Sequence, residues 1–178
     1  MIGVLVSGGG TNLQALLDAG LPVVAVASNR ADAPALARAG SIPTAAFELS
    51  GYDDRTARDT AMADWLEQNG VRLVVLAGYM HLLTAAFLDR FPDAVVNVHP
   101  SLLPAFPGAR AVEDQLAAGV AESGATVHLV DEGVDSGPVL AQARVPVIPG
   151  DTPQSLHERI RAVEHRLLPE VVRDLCAR

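Results

Sequence analysis

Asn97 and His99 stand two residues apart at the end of the apolar run 94–98. In an extended strand, side chains two apart point to the same side, so this strand end presents an amide and an imidazole together. Pro100 restricts His99 to extended backbone. An amide N–H aimed at a developing oxyanion contributes a factor of ~100–1,000 in rate. An imidazole carries a proton or stabilises negative charge near neutral pH. The pair therefore suits acyl transfer. The competing reading is a hydrogen-bonded structural histidine, which the neighbouring amide and the proline-rich segment Ser101-Leu102-Leu103-Pro104 weaken.

Two further segments carry candidate chemistry. Ser7-Gly8-Gly9-Gly10-Thr11-Asn12 follows the first apolar run and opens a helix-like segment. Glycines let backbone approach a ligand closely, and a helix N-terminus points N–H groups at it, which suits a phosphate. The spacing is not G-x-G-x-x-G, and no acidic residue fills the ribose role of a dinucleotide site. A plain strand-to-helix turn is the alternative, although it needs fewer glycines. Asp131-Glu132-Gly133-Val134-Asp135-Ser136-Gly137 is an acidic turn between two apolar runs. Most such turns are merely solvated, and spacing alone does not place Asp135 beside His99. A carboxylate that did pair with the ring would favour the imidazolium.

These segments need elements to position them. Apolar runs at Ile2–Val6, residues 23–27, 44–48, Leu73–Leu76, 94–98, 125–130 and 139–147 read as strands, the third of them weak. Helical spacing follows Leu13, Leu16 and Leu17 up to Gly20, then covers residues 32–38, 53–68 and 109–118. Thr84 is placed to cap a short helix carrying Phe87 and Leu88. Asp151-Thr152-Pro153 starts a last helix through Leu156, Ile160, Val163 and Leu167, and Pro169 is expected to kink or restart it. The alternation predicts an α/β, Rossmann-like fold: a mainly parallel twisted sheet with helices on both faces and a less regular C-terminal part. Ligands of such sheets bind at the C-terminal ends of strands, where residues 7–12, 78–83 and 97–99 all fall. One domain over 1–178 is expected, with 1–99 the phosphate-binding part and 100–178 completing the site.

Bulk properties narrow the function. The chain has 178 residues and a net charge of −8, which disfavours nucleic acid and anionic membranes as partners. All 13 basic residues are arginine. Without lysine, neither a Walker phosphate loop nor Schiff-base catalysis is available, the N-terminal amine aside. Anions must be held by backbone donors or placed arginines. The single cysteine, Cys176, suits a reducing cytoplasm. The first residues read as a strand rather than a signal peptide, and no apolar run reaches membrane-spanning length. No compact set of His, Cys or carboxylate ligands suggests a metal.

The chain resembles the phosphoribosylglycinamide formyltransferase family. The similarity runs through Val4-Leu5-Val6-Ser7-Gly8-Gly9-Gly10-Thr11-Asn12-Leu13-Gln14, Val74-Val75-Leu76-Ala77-Gly78-Tyr79-Met80, Asn97-Val98-His99-Pro100-Ser101-Leu102-Leu103-Pro104 and Asp135-Ser136-Gly137-Pro138. The HPSLLP segment is shared by folate formyltransferases, and the SGGGTN loop narrows the match. The resemblance implies a Rossmann-like domain that passes the formyl group of 10-formyltetrahydrofolate to glycinamide ribonucleotide. It implies Asn97, His99 and Asp135 as the catalytic trio, and Gly10, Thr11 and Asn12 as the phosphate loop. It also implies Arg55 at the folate glutamate tail, and Met80, His81, Leu82, Leu83 with Asp131, Glu132, Gly133, Val134 and Asp135 around the pterin. Asn97 belongs to the folate site too, and Glu164 would contact the ribonucleotide. No metal is implied, and a monomer or homodimer is expected.

The chain departs from the family where His81 replaces a frequent arginine, and where Ala109-Arg110-Ala111-Val112 follows Phe106-Pro107-Gly108. It also ends before the C-terminal strands many members carry. Formyltetrahydrofolate hydrolases and methionyl-tRNA formyltransferases resemble the same site but carry extra domains, and the latter a basic face. A sugar-nucleotide formyltransferase explains the phosphate loop less well. A non-catalytic binding module leaves the trio unexplained.

Overall fold

The computed structural model describes residues 1–177. Seven strands form one sheet: β1 (Ile2–Val6), β2 (Val23–Ser28), β3 (Thr44–Ala46), β4 (Leu73–Leu76), β5 (Val95–His99), β6 (Glu122–Leu129) and β7 (Val139–Pro146), in the order β3-β2-β1-β4-β5-β6-β7. The helices are α1 (Thr11–Asp18), α2 (Ala35–Arg38), α3 (Arg55–Gln68), α4 (Ala85–Leu88), α5 (Ala111–Ala118) and α6 (Pro153–Cys176), with a 3-10 turn at Leu49–Gly51. The fold is the mainly parallel, Rossmann-like one expected. By its internal contacts the chain divides into two compact units, residues 1–96 and 97–178.

In the first unit β1 is flanked by β2 and β4, both parallel to it, and β3 continues the sheet in parallel beyond β2. All five residues of β1 are buried, which is why it reads as an unbroken apolar run rather than an alternating one. The core is built from Val4, Leu5 and Val26 with Leu13, Leu16, Met62 and Leu66 from α1 and α3. Burying each such side chain contributes about 1.5–3 kcal/mol. In the second unit β6 and β7 pair antiparallel, and α6 packs on both.

The sequence boundaries shift in informative ways. The weak third strand keeps only Thr44–Ala46, and α2 begins at Ala35, after Pro34, rather than at residue 32. Thr84 stands at the N-cap of α4, but its side chain makes no capping hydrogen bond; its backbone N–H donates to Asp59 Oδ2 instead. Pro169 does not restart the last helix, because α6 runs without interruption through it. Leu168, Pro169 and Val172 are all buried there. Leaving the helix would expose Leu168 and Val172 at a cost of about 3–6 kcal/mol together, against about 3 kcal/mol for an interior proline. The start of α6 is held by a capping box: Ser155 N–H donates to Thr152 Oγ1 (3.1 Å) and Thr152 N–H to Ser155 Oγ (2.9 Å).

Candidate active site

Within the second unit, β5 and the loop after β6 bring Asn97, His99 and Asp135 into contact. His99 Nδ1 lies 3.3 Å from Asp135 Oδ2, and Asn97 Nδ2 donates to Asp135 Oδ1 at 3.4 Å. Both side chains thus reach one carboxylate, as their spacing on a strand requires. His99 is buried, and its Nε2–H donates to the Phe106 carbonyl at 2.8 Å. Both ring nitrogens thus face oxygen acceptors, the Phe106 carbonyl and the Asp135 carboxylate. His128, from β6, completes the cluster. Its Nδ1 lies 2.8 Å from Leu129 O, and its Nε2 lies 3.2 Å from Asn97 Nδ2. His128 Nε2 also lies 3.6 Å from Asp135 Oδ1.

The loop is built to deliver this carboxylate. Asp135 adopts φ 51°, a left-handed conformation that Asp and Asn tolerate better than most residues. Asp131 Oδ1 ties the turn by accepting from Gly133 N–H (2.9 Å) and Ser136 Oγ (2.7 Å). A Cβ on Gly133 would lie 2.0 Å from Ser136 Oγ, so a side chain there would push that hydroxyl off Asp131. The Gly108 N–H donates to Asp135 Oδ2 at 2.8 Å. Burial pushes the Asp135 carboxyl upward, but His128, the Gly108 N–H and the His99 ring together outweigh it and hold its pKa below the ordinary carboxylate value.

In the first unit, the glycine loop is clamped from one side by α2. Ala35 N–H donates to Gly8 O (3.0 Å) and Arg38 Nε to Gly9 O (2.6 Å). Gly10 has φ 74°, and a Cβ there would meet Ala35 Cβ at 2.5 Å. Thr11 and Asn12 follow as the first residues of α1. Two loop carbonyls are thus bonded toward α2.

Comparison with known proteins decides the family. A profile described as formyl transferase matches residues 1–172. The phosphoribosylglycinamide formyltransferase of Mycobacterium tuberculosis (strain CDC 1551 / Oshkosh) is 46% identical over 175 residues, covering 95% of this chain and 81% of the relative. The chain belongs to the formyl transferase family. Among solved structures, glycinamide ribonucleotide transformylase 1 from Symbiobacterium toebii superposes with a TM-score of 0.95 at 49% identity, covering 97% of this chain and 85% of that one. The phosphoribosylglycinamide formyltransferase of Streptococcus pneumoniae TIGR4 gives 0.94 at 41%, covering 98% and 97%.

The remaining site candidates of this formyl transferase lie as follows. Arg55 is exposed in the first turn of α3, beyond the N-cap Asp54, whose carboxylate accepts from Ala57 N–H at 2.8 Å. Met80 and Leu82 are 69% and 49% exposed, while Leu83 is buried. Glu132 and Val134 are exposed in the acidic turn. Glu164 is only 4% exposed, on the packed face of α6. His81 is engaged at both ring nitrogens, 2.6 Å from Arg58 Nη1 and 3.1 Å from the Asn29 amide.

Two groups escaped sequence reasoning. His128 carries a signal only in retrospect, as a polar residue in period-two register with Gly124 and Thr126 on an apolar strand. The ion pair of Arg58 and Asp59, both fully buried, looks in sequence like any charged stretch of a surface helix.

Proposed function

We propose that this chain transfers the formyl group of 10-formyltetrahydrofolate to the amine of glycinamide ribonucleotide, giving formylglycinamide ribonucleotide in de novo purine synthesis. The observation that carries this is the convergence of Asn97, His99 and Asp135 in a member of the formyl transferase family. The names of relatives at 46% and 49% identity point to the same acceptor. The folate, when bound, supplies an activated formyl group.

A glycyl amine titrates near ~8, like other α-amino groups, so a useful neutral fraction attacks without a strong base. Asn97 Nδ2 and His99 Nε2 are the donors for negative charge developing on the formyl oxygen. Both are bonded within the protein, to His128 and Asp135 and to Phe106 O respectively. One of these internal bonds therefore exchanges for a bond to the reacting oxygen. Such contacts commonly tighten only in the substrate complex. Asp135 stays ionised at neutral pH, holds the His99 ring in place and takes part in moving the proton from the attacking nitrogen to the leaving one, through water. Positioning of the two substrates supplies much of the remaining acceleration.

Gly10, Thr11 and Asn12 take the phosphate, and Glu164 contacts the ribonucleotide. Two segments are assigned to folate, and each exposes apolar side chains: Met80 and Leu82 in the first unit, Val134 in the second. Leu83, His81, Asp131, Glu132 and Gly133 complete these two segments, and Arg55 meets the glutamate tail. The enzyme works in the cytoplasm, as a monomer or homodimer, on small molecules alone. The test is direct: purified protein is mixed with glycinamide ribonucleotide and a 10-formylfolate, and deformylated folate is followed by absorbance. Absence of turnover from folded protein defeats the proposal.

A further inference from the structure

Residues 78–84 join β4 to α4, and a closed circuit of side chains holds them. Met80 N–H donates to Ser7 Oγ (2.9 Å), and Ser7 Oγ meets the Asn29 side-chain amide at 2.5 Å. That amide meets His81 Nε2 at 3.1 Å, and Arg58 Nη1 meets His81 Nδ1 at 2.6 Å. Arg58 donates through Nε and Nη2 to Asp59 Oδ1 (2.9 and 2.6 Å), and Asp59 Oδ2 accepts from Thr84 N–H at 2.7 Å. The circuit begins at one end of the segment, passes through His81 and closes at the other end.

Donor and acceptor chemistry sets the state of the ring. A guanidinium has five N–H donors and no acceptor, so His81 Nδ1 must be unprotonated to bond it. A neutral ring then carries its proton on Nε2. That N–H needs an acceptor from Asn29, whose amide turns over without change of shape. Its carbonyl oxygen then faces His81 and its NH2 faces Ser7 Oγ.

We propose that His81 is a positioning residue, locked as the neutral Nε2–H tautomer, that holds residues 78–84 so that Met80 and Leu82 stay presented to the folate ring. The proposal rests on the assignment of this segment to folate. The charged groups around the ring all come from α3. Arg58 bonds it, Arg55 adds a second positive charge, and Asp59 is already engaged by Arg58 and the Thr84 N–H. Tyr79 stands edge-on to the ring at 6.0 Å, and Asn29 and Ser7 are uncharged. Burial first, then Arg58 and Arg55, place the His81 pKa below its ordinary value. The circuit is therefore intact above the folded-state pKa. As pH falls through it, Nδ1 gains a proton, two donors face each other, and the circuit opens.

Long-range 1H–15N NMR on histidine-labelled protein reads the tautomer without any substrate. The expected result is a bare Nδ1, a protonated Nε2 and titration below the ordinary histidine pKa. In kinetics, the KM for the 10-formylfolate rises as pH falls through that pKa, while the KM for glycinamide ribonucleotide does not follow it. His81→Asn places an uncharged, non-titrating acceptor near the Nδ1 position, so its folate KM no longer rises as pH falls, and it stays below that of His81→Leu. His81→Leu raises the folate KM about tenfold at every pH, the effect of losing one charged hydrogen bond. A protonated Nδ1 in the neutral ring, a pKa at or above the ordinary value, or an unchanged folate KM in His81→Leu overturns the proposal. A protein that shows the bare Nδ1 but never binds or uses a 10-formylfolate refutes the folate assignment instead.

Discussion

Replacing Asp135 by Asn separates charge from shape at the centre of the site. Asn tolerates the left-handed backbone at φ 51° as well as Asp does, so the substitution adds little strain. The new amide settles with its oxygen toward Gly108 N–H and His99, because its NH2 group facing the Gly108 donor would be repulsive. What is lost is the negative charge 3.3 Å from the His99 ring, along with the acceptor that Oδ1 offers Asn97. Two unit charges at that separation interact by about 5 kcal/mol at an effective dielectric of ~20. The Asp135 side chain keeps 14% of its surface exposed, and partial solvent screening reduces this to about 2–3 kcal/mol. Expressed in the transition state, that is a fall in kcat of roughly 30- to 150-fold. The assay is steady-state formyl transfer to glycinamide ribonucleotide, with thermal unfolding run alongside to show that the variant is folded. A folded Asp135→Asn enzyme with full kcat would refute the role given to the carboxylate.

Three further outcomes follow from the same geometry. Gly10→Ala forces a side chain into φ 74° and against Ala35, so it should lose about 1–3 kcal/mol of stability and raise the KM for glycinamide ribonucleotide; equal urea midpoints for variant and parent would contradict this. Arg58→Met leaves Asp59 ionised and buried without its partner, and a loss of about 3–5 kcal/mol is expected in denaturant titration; a loss below about 1 kcal/mol would show the pair to be dispensable. The third concerns acid stability. The folded-state pKa of Asp135 is depressed, so its contribution is complete above the unfolded carboxylate value near ~4 and disappears as pH falls through the folded value. The melting temperatures of parent and Asp135→Asn should therefore converge as pH drops from about 5 toward 2, and a gap that widened instead would reverse the sign of the coupling.

Much of the architecture was legible in sequence because it rests on local rules. Buried strands such as Ile2–Val6 and Leu73–Leu76 appear as short apolar runs, and Asp151-Thr152-Pro153 announces the start of α6. Local rules failed where tertiary burial outweighed them. Pro169 stays inside a continuous helix because its neighbours are buried, and Thr84 yields its capping role while its backbone bonds to a buried carboxylate. The site divides in the same way. The amide and imidazole of Asn97 and His99 were visible from a period-two spacing at a strand end, since that geometry is set within three residues.

What brings Asp135 to them is not local. It arrives from the far end of β6, some 36 positions along the chain from His99, by a left-handed turn and a bond from Gly108. His128 enters by strand register, and the state of His81 is set by Arg58 on a different element. The sequence alone determined which residue types stand at strand ends, and with them the kind of chemistry on offer. Only the tertiary structure decided which charges and donors meet, because electrostatic and hydrogen-bonding partners act over a few ångströms of space whatever their separation along the chain.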